Sequence, residues 1–226
     1  MKRILFLGTV LFAATQLSSA ATCTSGTLAS YLALGSGGCT IGNDVLSNFQ
    51  TLSGQTGATE IATNGVVVTP GGGTSIPSLT FSTIQSVSTG GLVESIFTYQ
   101  ISGPTFTSAS LALSGSSETV DGAVTDIENF CAGGTFGPDG VDGCTGTAGS
   151  LLTLDGIQNS NSSPLSPASL VSVTNDFTVD GGTAGSAAGG TFADSFTATP
   201  EPASLFMAAL GILTATTVRM YSKRKV

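Results

Sequence analysis

The sequence predicts an all-β fold: a single antiparallel β-sandwich of jelly-roll or immunoglobulin-like order, preceded by a signal peptide and followed by a C-terminal transmembrane helix. Three observations carry this reading. Period-2 stretches recur: "LVESIFTYQIS" (92–102) puts Val93, Ser95, Phe97, Tyr99 and Ile101 on one face, and "LVSVTNDFTVD" (170–180) does the same with Val171, Val173, Asn175, Phe177 and Val179. Alternation of that length marks strands buried on one side. Turn-forming clusters, "TPGGGTSIP", "SGP", "GPDGVDG", "SPLSP" and "DGGTAGSAAGG", break the chain at short intervals and leave little room for long helices. Finally, every cationic side chain lies in a terminal segment.

The first of those segments, "MKRILFLGTVLFAATQLSSA", has Lys2 and Arg3, an apolar stretch from Ile4 to Ala14, and small polar residues up to Ala20. That is the order of a secretory signal peptide, and it implies the Sec translocon and signal peptidase as partners. Ser18 with Ala20, or Ser19 with Ala21, supplies the small residues that cleavage requires. Cys23 follows Thr22 rather than Gly or Ala, so it does not read as a lipidation site. The expected organisation is a signal peptide over 1–20, a β-sandwich over 21–180, a last strand with a Gly/Ala/Ser/Thr-rich linker over 181–199, and a sorting segment over 200–226.

Within the body, "SGTLASYLALGS" (25–36) reads as a short helix. Further strands are expected over 44–53, 59–69, 79–88, 106–114, 118–129, 150–157 and 191–198, giving eight or nine short strands without a long helix, the pattern of a sandwich. Four cysteines in an exported chain predict disulfides. Three pairings exist, and the local one, Cys23 with Cys39 and Cys131 with Cys144, is favoured because each pair closes a short loop. Loops of this size contribute roughly 3 kcal/mol each.

Charge narrows the function. Of the 14 acidic residues only Glu201 lies outside 21–199, which leaves 13 acids and no base in the body. Such a surface has nothing to neutralise phosphates with, which excludes nucleic acid as a partner. Carboxyls surrounded only by carboxyls should also have raised pKa values, so stability should rise as the pH falls. The chain has no histidine, which removes Ser-His-Asp and Cys-His catalysis and His-based zinc sites. A thiol nucleophile would lack an activating base. Paired carboxylates acting on a glycosidic bond are the enzyme class the composition permits, yet no spacing supports them. The expectation is a non-catalytic protein with no cofactor other than calcium. Asp139 and Asp142, in the Gly-rich turn "GPDGVDG", are its candidate ligands; the alternative is a pair of solvated turn carboxylates. The body lacks tryptophan and has only Tyr31 and Tyr99, so no aromatic strip for stacking on sugars is expected. Asn161-Ser162-Ser163 reads as a surface loop.

The other terminal segment, "TPEPASLFMAALGILTATTVRMYSKRKV", runs from Pro200-Glu201-Pro202 through an uncharged stretch, 203–218, to Arg219, Lys223, Arg224 and Lys225. As a helix the stretch would span about 24 Å, near the roughly 30 Å of a hydrocarbon core; snorkelling basic residues cover part of the deficit and hold their end in the cytoplasm. The two prolines cannot continue a helix upstream, so the backbone there stays extended. This ordered triplet resembles the PEP-CTERM sorting signal of Gram-negative bacteria. The resemblance implies recognition by exosortase, a membrane-embedded enzyme similar to cysteine transpeptidases. It also implies processing near Pro200-Glu201-Pro202, transient anchoring in the inner membrane, and delivery to the cell surface or matrix alongside exopolysaccharide. The Leu-Pro-x-Thr-Gly motif of sortase substrates is absent. More loosely, "CTSGTLASYLALGSGGCTIGNDVLSNF" (23–49), "VVVTP" (66–70) and "ENFCAGGTF…GC" (128–144) resemble PEP-CTERM proteins of acidobacteria, for which no activity transfers to any residue here.

Overall fold

The computed structural model describes residues 20–54 and 57–199. Among the described residues β1 (Ala21–Thr22) and β2 (Gly26–Thr27) come first, then a short helix, α1 (Leu28–Leu32). Thr27 caps that helix by accepting from the Ser30 backbone N–H at 3.3 Å, satisfying one of the donors a helix start leaves open. Leu28 and Tyr31 anchor it to the core. The predicted helix over 25–36 is thus cut to five residues, because its first residues pair as a strand.

Next come β3 (Cys39–Ile41), β4 (Asp44–Thr51), β5 (Thr59–Glu60), β6 (Val66–Gly73), β7 (Ile76–Thr83), β8 (Ser86–Ser88) and the 23-residue β9 (Leu92–Ser114). After β10 (Ser117–Thr119), β11 (Ala123–Ala132) and β12 (Thr147–Leu154) comes a second long strand, the 21-residue β13 (Ser160–Asp180), then β14 (Ser186–Ala188) and β15 (Thr191–Ala198). Twelve strands form one sheet, ordered β1-β3-β4-β9-β15-β7-β6-β2, with β13, β11 and β12 continuing outward from the other edge of β9 and β5 beside its start; β10-β14-β8 form a small second sheet.

The large sheet curls because its two longest strands bend. The first half of β9 pairs with β4 and the second half with β15, while β13 accompanies both halves. At the bend stand Ser102-Gly103-Pro104-Thr105 in β9 and the register shifts between Pro164 and Leu170 in β13. Proline gives no N–H to a ladder, so it is tolerated where pairing is interrupted by a bulge. The sequence reading of "SGP" and "SPLSP" as turns is therefore corrected: both lie inside continuous strands. Gly103 is needed at the bend because a Cβ there would lie 2.1 Å from Oδ1 of the buried Asp44.

Folding over brings the two halves face to face. Phe81 on β7 packs on Phe97 of β9 at 4.7 Å between centroids, and Phe192 on β15 stacks on Phe177 of β13 at 5.0 Å. The core residues Phe97, Tyr99, Ile101, Val171, Val173, Phe177 and Val179 are all at most 1% exposed, on the faces that the alternation predicts. Pairing is antiparallel except at β1 with β3 and β5 with β9, which are parallel; the uniformly antiparallel expectation is corrected at those two short contacts. The 181–199 expectation changes more. The predicted last strand, 191–198, is β15 and lies between β9 and β7, while residues 186–188 of the expected linker pair with β8 and β10, so the Gly-rich stretch is part of the body and not a linker after it. Fifteen strands stand among the described residues where eight or nine were expected.

Candidate functional site

Pro200, Glu201 and Pro202, the apolar run after them, and Arg219, Lys223, Arg224 and Lys225 lie outside the described residues. Among the described residues no helix is long and apolar enough to cross a membrane. The cysteines pair locally, Cys23–Cys39 and Cys131–Cys144. The first disulfide ties the start of the body to β3, where Ala21 pairs with Cys39.

The second closes the loop that holds the candidate calcium ligands. Asp139 Oδ1 accepts the backbone N–H groups of Val141 and Asp142 at 3.2 and 3.1 Å, and the Asp142 carbonyl accepts from Gly137 N–H at 2.8 Å. Ser172 and Thr174 of β13 donate to the carbonyls of Gly134 and Gly140, fastening the loop over the outer face of the sheet. Gly140 sits at φ 74°, and a Cβ there would lie 2.4 Å from a Leu52 methyl; both the left-handed backbone and the close approach call for glycine. One Asp139 oxygen therefore closes its own turn. Among the described residues no group of three or more Cys, Asp or Glu side chains is placed to hold a metal ion.

A different cluster occupies the centre of the molecule. Asp126 and Glu128 share the inward phase of Val124 and Phe130 on β11, and Asp194 shares that of Phe192 and Phe196 on β15; all three carboxyls are fully buried. Register brings them together. Glu128 lies opposite Asn175, which lies opposite Phe97, and Asp194 reaches across from the facing layer. Tyr99 Oη and Asn175 Nδ2 each donate to Asp194 Oδ2 at 2.7 Å. Both oxygens of Asp126 and of Glu128, Asp194 Oδ1 and Asn175 Oδ1 make no hydrogen bond of ordinary geometry.

Burial decides the protonation of this cluster. Without a cation nearby, a charge in an apolar interior is too costly, so the group keeps its proton. Burial pushes Asp126 and Glu128 well above the ordinary carboxyl range, and the neighbouring Asp194 charge pushes both further. Asp194 rises only to about 6, because burial is opposed by the hydrogen bonds from Tyr99 and Asn175. Two neutral acids thus surround one carboxyl that can ionise. Tyr99 is held well above its usual range by burial and by the same acids, so it remains a donor. All three carboxyls of the cluster are sealed from solvent. The sequence carried a signal for it that the reading did not use, since all three acids fall in phase with core aliphatics and aromatics.

Two further carboxyls repeat the theme. Asp44 is fully buried beside the β9 bend, and burial raises it to about 6. On the outer face, burial and then the adjacent Glu94 raise Asp176 to about 6; Glu94 and Glu60 line a cavity of about 310 Å³ nearby. Asp121 goes the other way. Exposed, it accepts from Thr183 Oγ1, Thr183 N–H and Ala184 N–H at 2.6, 2.8 and 3.0 Å, and these donors lower it to about 2.

The fold and these groups define an all-β, disulfide-stapled body in which, among the described residues, the buried carboxyls have only neutral donors and other acids around them. No family model, curated protein or solved structure matches the chain.

Proposed function

We propose that the chain is an exported, non-catalytic protein of the cell envelope or extracellular matrix, with a two-layer β-sandwich body, sorted by exosortase through its C-terminal signal and associated with exopolysaccharide. The observation that carries this reading is the ordered triplet Pro200-Glu201-Pro202, uncharged run 203–218, and basic Arg219 to Lys225 on a chain that begins with a signal sequence. Two disulfides in the body support it, because such bonds persist in oxidising, extracytoplasmic compartments. A body with 13 acids and no base supports it too, since like charge keeps an exported protein soluble and apart from acidic surfaces.

In this reading the leader takes the chain through the Sec translocon and is cut by signal peptidase. The tail then holds the body outside the inner membrane until exosortase acts. The test is mass spectrometry of the native C-terminus in the parent cell and in one lacking exosortase. Loss of the tail near residue 200 in the first, and retention in the second, is the expected result. An intact tail in both would replace sorting with a permanently anchored adhesion module. Full-length protein in the cytosol with its leader intact would overturn export altogether.

A further inference from the structure

The surface acids of the body are not evenly spread. At one pole the chain leaves the sheet: Thr199 donates from its backbone N–H and its Oγ1 to the Thr105 carbonyl at 2.8 and 3.0 Å, and Ala198 N–H donates to the Ser75 carbonyl at 2.8 Å. This pole is built from the β3–β4 turn, the β6–β7 turn and the β9 bend, which presents Asn43, Thr74, Ser75, Ile76 and Thr105 to solvent. The turns abut, since a Cβ on Gly42 would lie 2.6 Å from the Thr74 methyl. Among the described residues its only carboxyl is Asp44, which is buried and raised to about 6.

The opposite pole is different. There β10 turns into β11, β12 turns into β13, and β13 ends. Glu118, Asp121, Asp155 and Asp180 all lie in these turns and strand ends, with Glu118 close beside Gly156 and Asp121 holding Thr183. Asp139 and Asp142 belong to a loop that leaves the sheet beside the β9 bend, where Gly133 N–H donates to the Leu170 carbonyl at 2.8 Å, and folds away from that pole over the outer face toward Thr174.

Distance gives the uncharged pole a partner. Only Pro200, Glu201 and Pro202 separate Thr199 from the apolar run that starts at Ala203, and four fully extended residue steps reach no more than about 14 Å. While the tail is in a membrane, β15, an interior strand of the sheet, cannot leave the surface by more than that. Carboxylates at that range would feel anionic headgroups, because screening acts over about 10 Å at ordinary salt.

We propose that the pole around Thr199 is the membrane-facing surface of the body, seated against the polar headgroup layer of a bilayer, with the acidic pole pointing away. The proposal rests on the reading of 203–218 as a membrane span.

The body contains no tryptophan, which makes an inserted one a clean reporter. Full-length chain is reconstituted into vesicles containing anionic lipid and a headgroup spin label, as Ile76→Trp, Thr105→Trp and Ile157→Trp variants. The first two replace exposed side chains at the uncharged pole; the third replaces an 80% exposed residue at the acidic pole. Two reporters at one pole protect against a single variant that fails to fold. The expected result is flotation with the vesicles, loss of most Ile76→Trp and Thr105→Trp emission, and little loss for Ile157→Trp. Flotation with equal or reversed quenching overturns the orientation and leaves the span reading standing. Failure to float overturns the span reading and the orientation with it.

Discussion

Asp121, where β10 turns into β11, and Asp194, in the middle of β15, are the same side chain in a body without a single base, yet their fates are opposite. Asp121 is exposed and collects donors from Thr183 and Ala184, which lower it to about 2. Asp194 is sealed between two layers, where burial outweighs its donors and raises it to about 6. The contrast teaches how an all-acid protein manages charge. At the surface, N–H and O–H dipoles do the work that lysine and arginine do elsewhere. In the interior burial raises the acids, Asp194 to about 6 and Asp126 and Glu128 higher still.

The sharpest way to break this comparison is to remove the acceptor at its centre. Asp194→Ala strands the Tyr99 hydroxyl and the Asn175 amide in the core, each costing about 1–3 kcal/mol, and leaves a void as well. A loss of about 3–5 kcal/mol in chemical denaturation is expected; a loss below 1 kcal/mol would show that water or a rearranged neighbour replaces the acceptor. The next largest effect is the response to pH. Groups with raised folded-state pKa values give up their protons first in the unfolded chain. Stability is thus greatest below about pH 4, the ordinary carboxyl range, and falls as the pH rises through 6, where Asp44, Asp176 and Asp194 titrate, and further as Asp126 and Glu128 follow. Calorimetry at pH 5 and pH 8 should give the higher Tm at pH 5, and the reverse order would contradict a protonated core.

A smaller change tests whether the cluster is the source of that slope. The isosteric pair Asp126→Asn with Glu128→Gln removes two protons that the fold must retain. Its Tm should exceed that of the parent at pH 8, lie close to the parent at pH 4, and vary less in between. Asp121→Ala, the surface member of the comparison, should have the smallest effect and the opposite pH dependence. Its lowered pKa stabilises the fold above about pH 4, with the benefit lost as the pH falls through about 2, so the variant should differ from the parent at pH 6 and converge with it toward pH 2.

Much of this was legible in advance. The alternation in 92–102 and 170–180 identified the core-facing phase of β9 and β13, because side-chain direction follows from strand geometry alone, but not that Glu94, Ser172 and Thr174 of the opposite phase are buried as well. Local cysteine spacing pointed to the observed pairing for the same reason of short range. The core cluster was half legible: the phase of Asp126, Glu128 and Asp194 marks them as inward, but Asp126 and Glu128 lie far from Asp194 in the chain, and only the facing of two layers makes them one site. The loop at Asp139 was read as a candidate cation site because its composition fits one; its hydrogen bonds reveal a turn closed by its own carboxylate.

What the sequence determined by itself was local: strand phase, the confinement of cations to the ends, and the absence of any internal counterion; it favoured one of three cysteine pairings, which the fold then made. What only the tertiary structure decided was continuity. Gly103-Pro104 and the Pro164–Pro167 stretch announce that a ladder is interrupted, but whether it resumes depends on partners far along the chain, β15 for one bend and β9 for the other. The Gly-rich 181–190 stretch likewise became part of the body because its residues 186–188 find β8 and β10 as distant partners. Backbone pairing is settled by which distant strands can satisfy each other's hydrogen bonds and bury each other's faces, and no short window of residues contains that information.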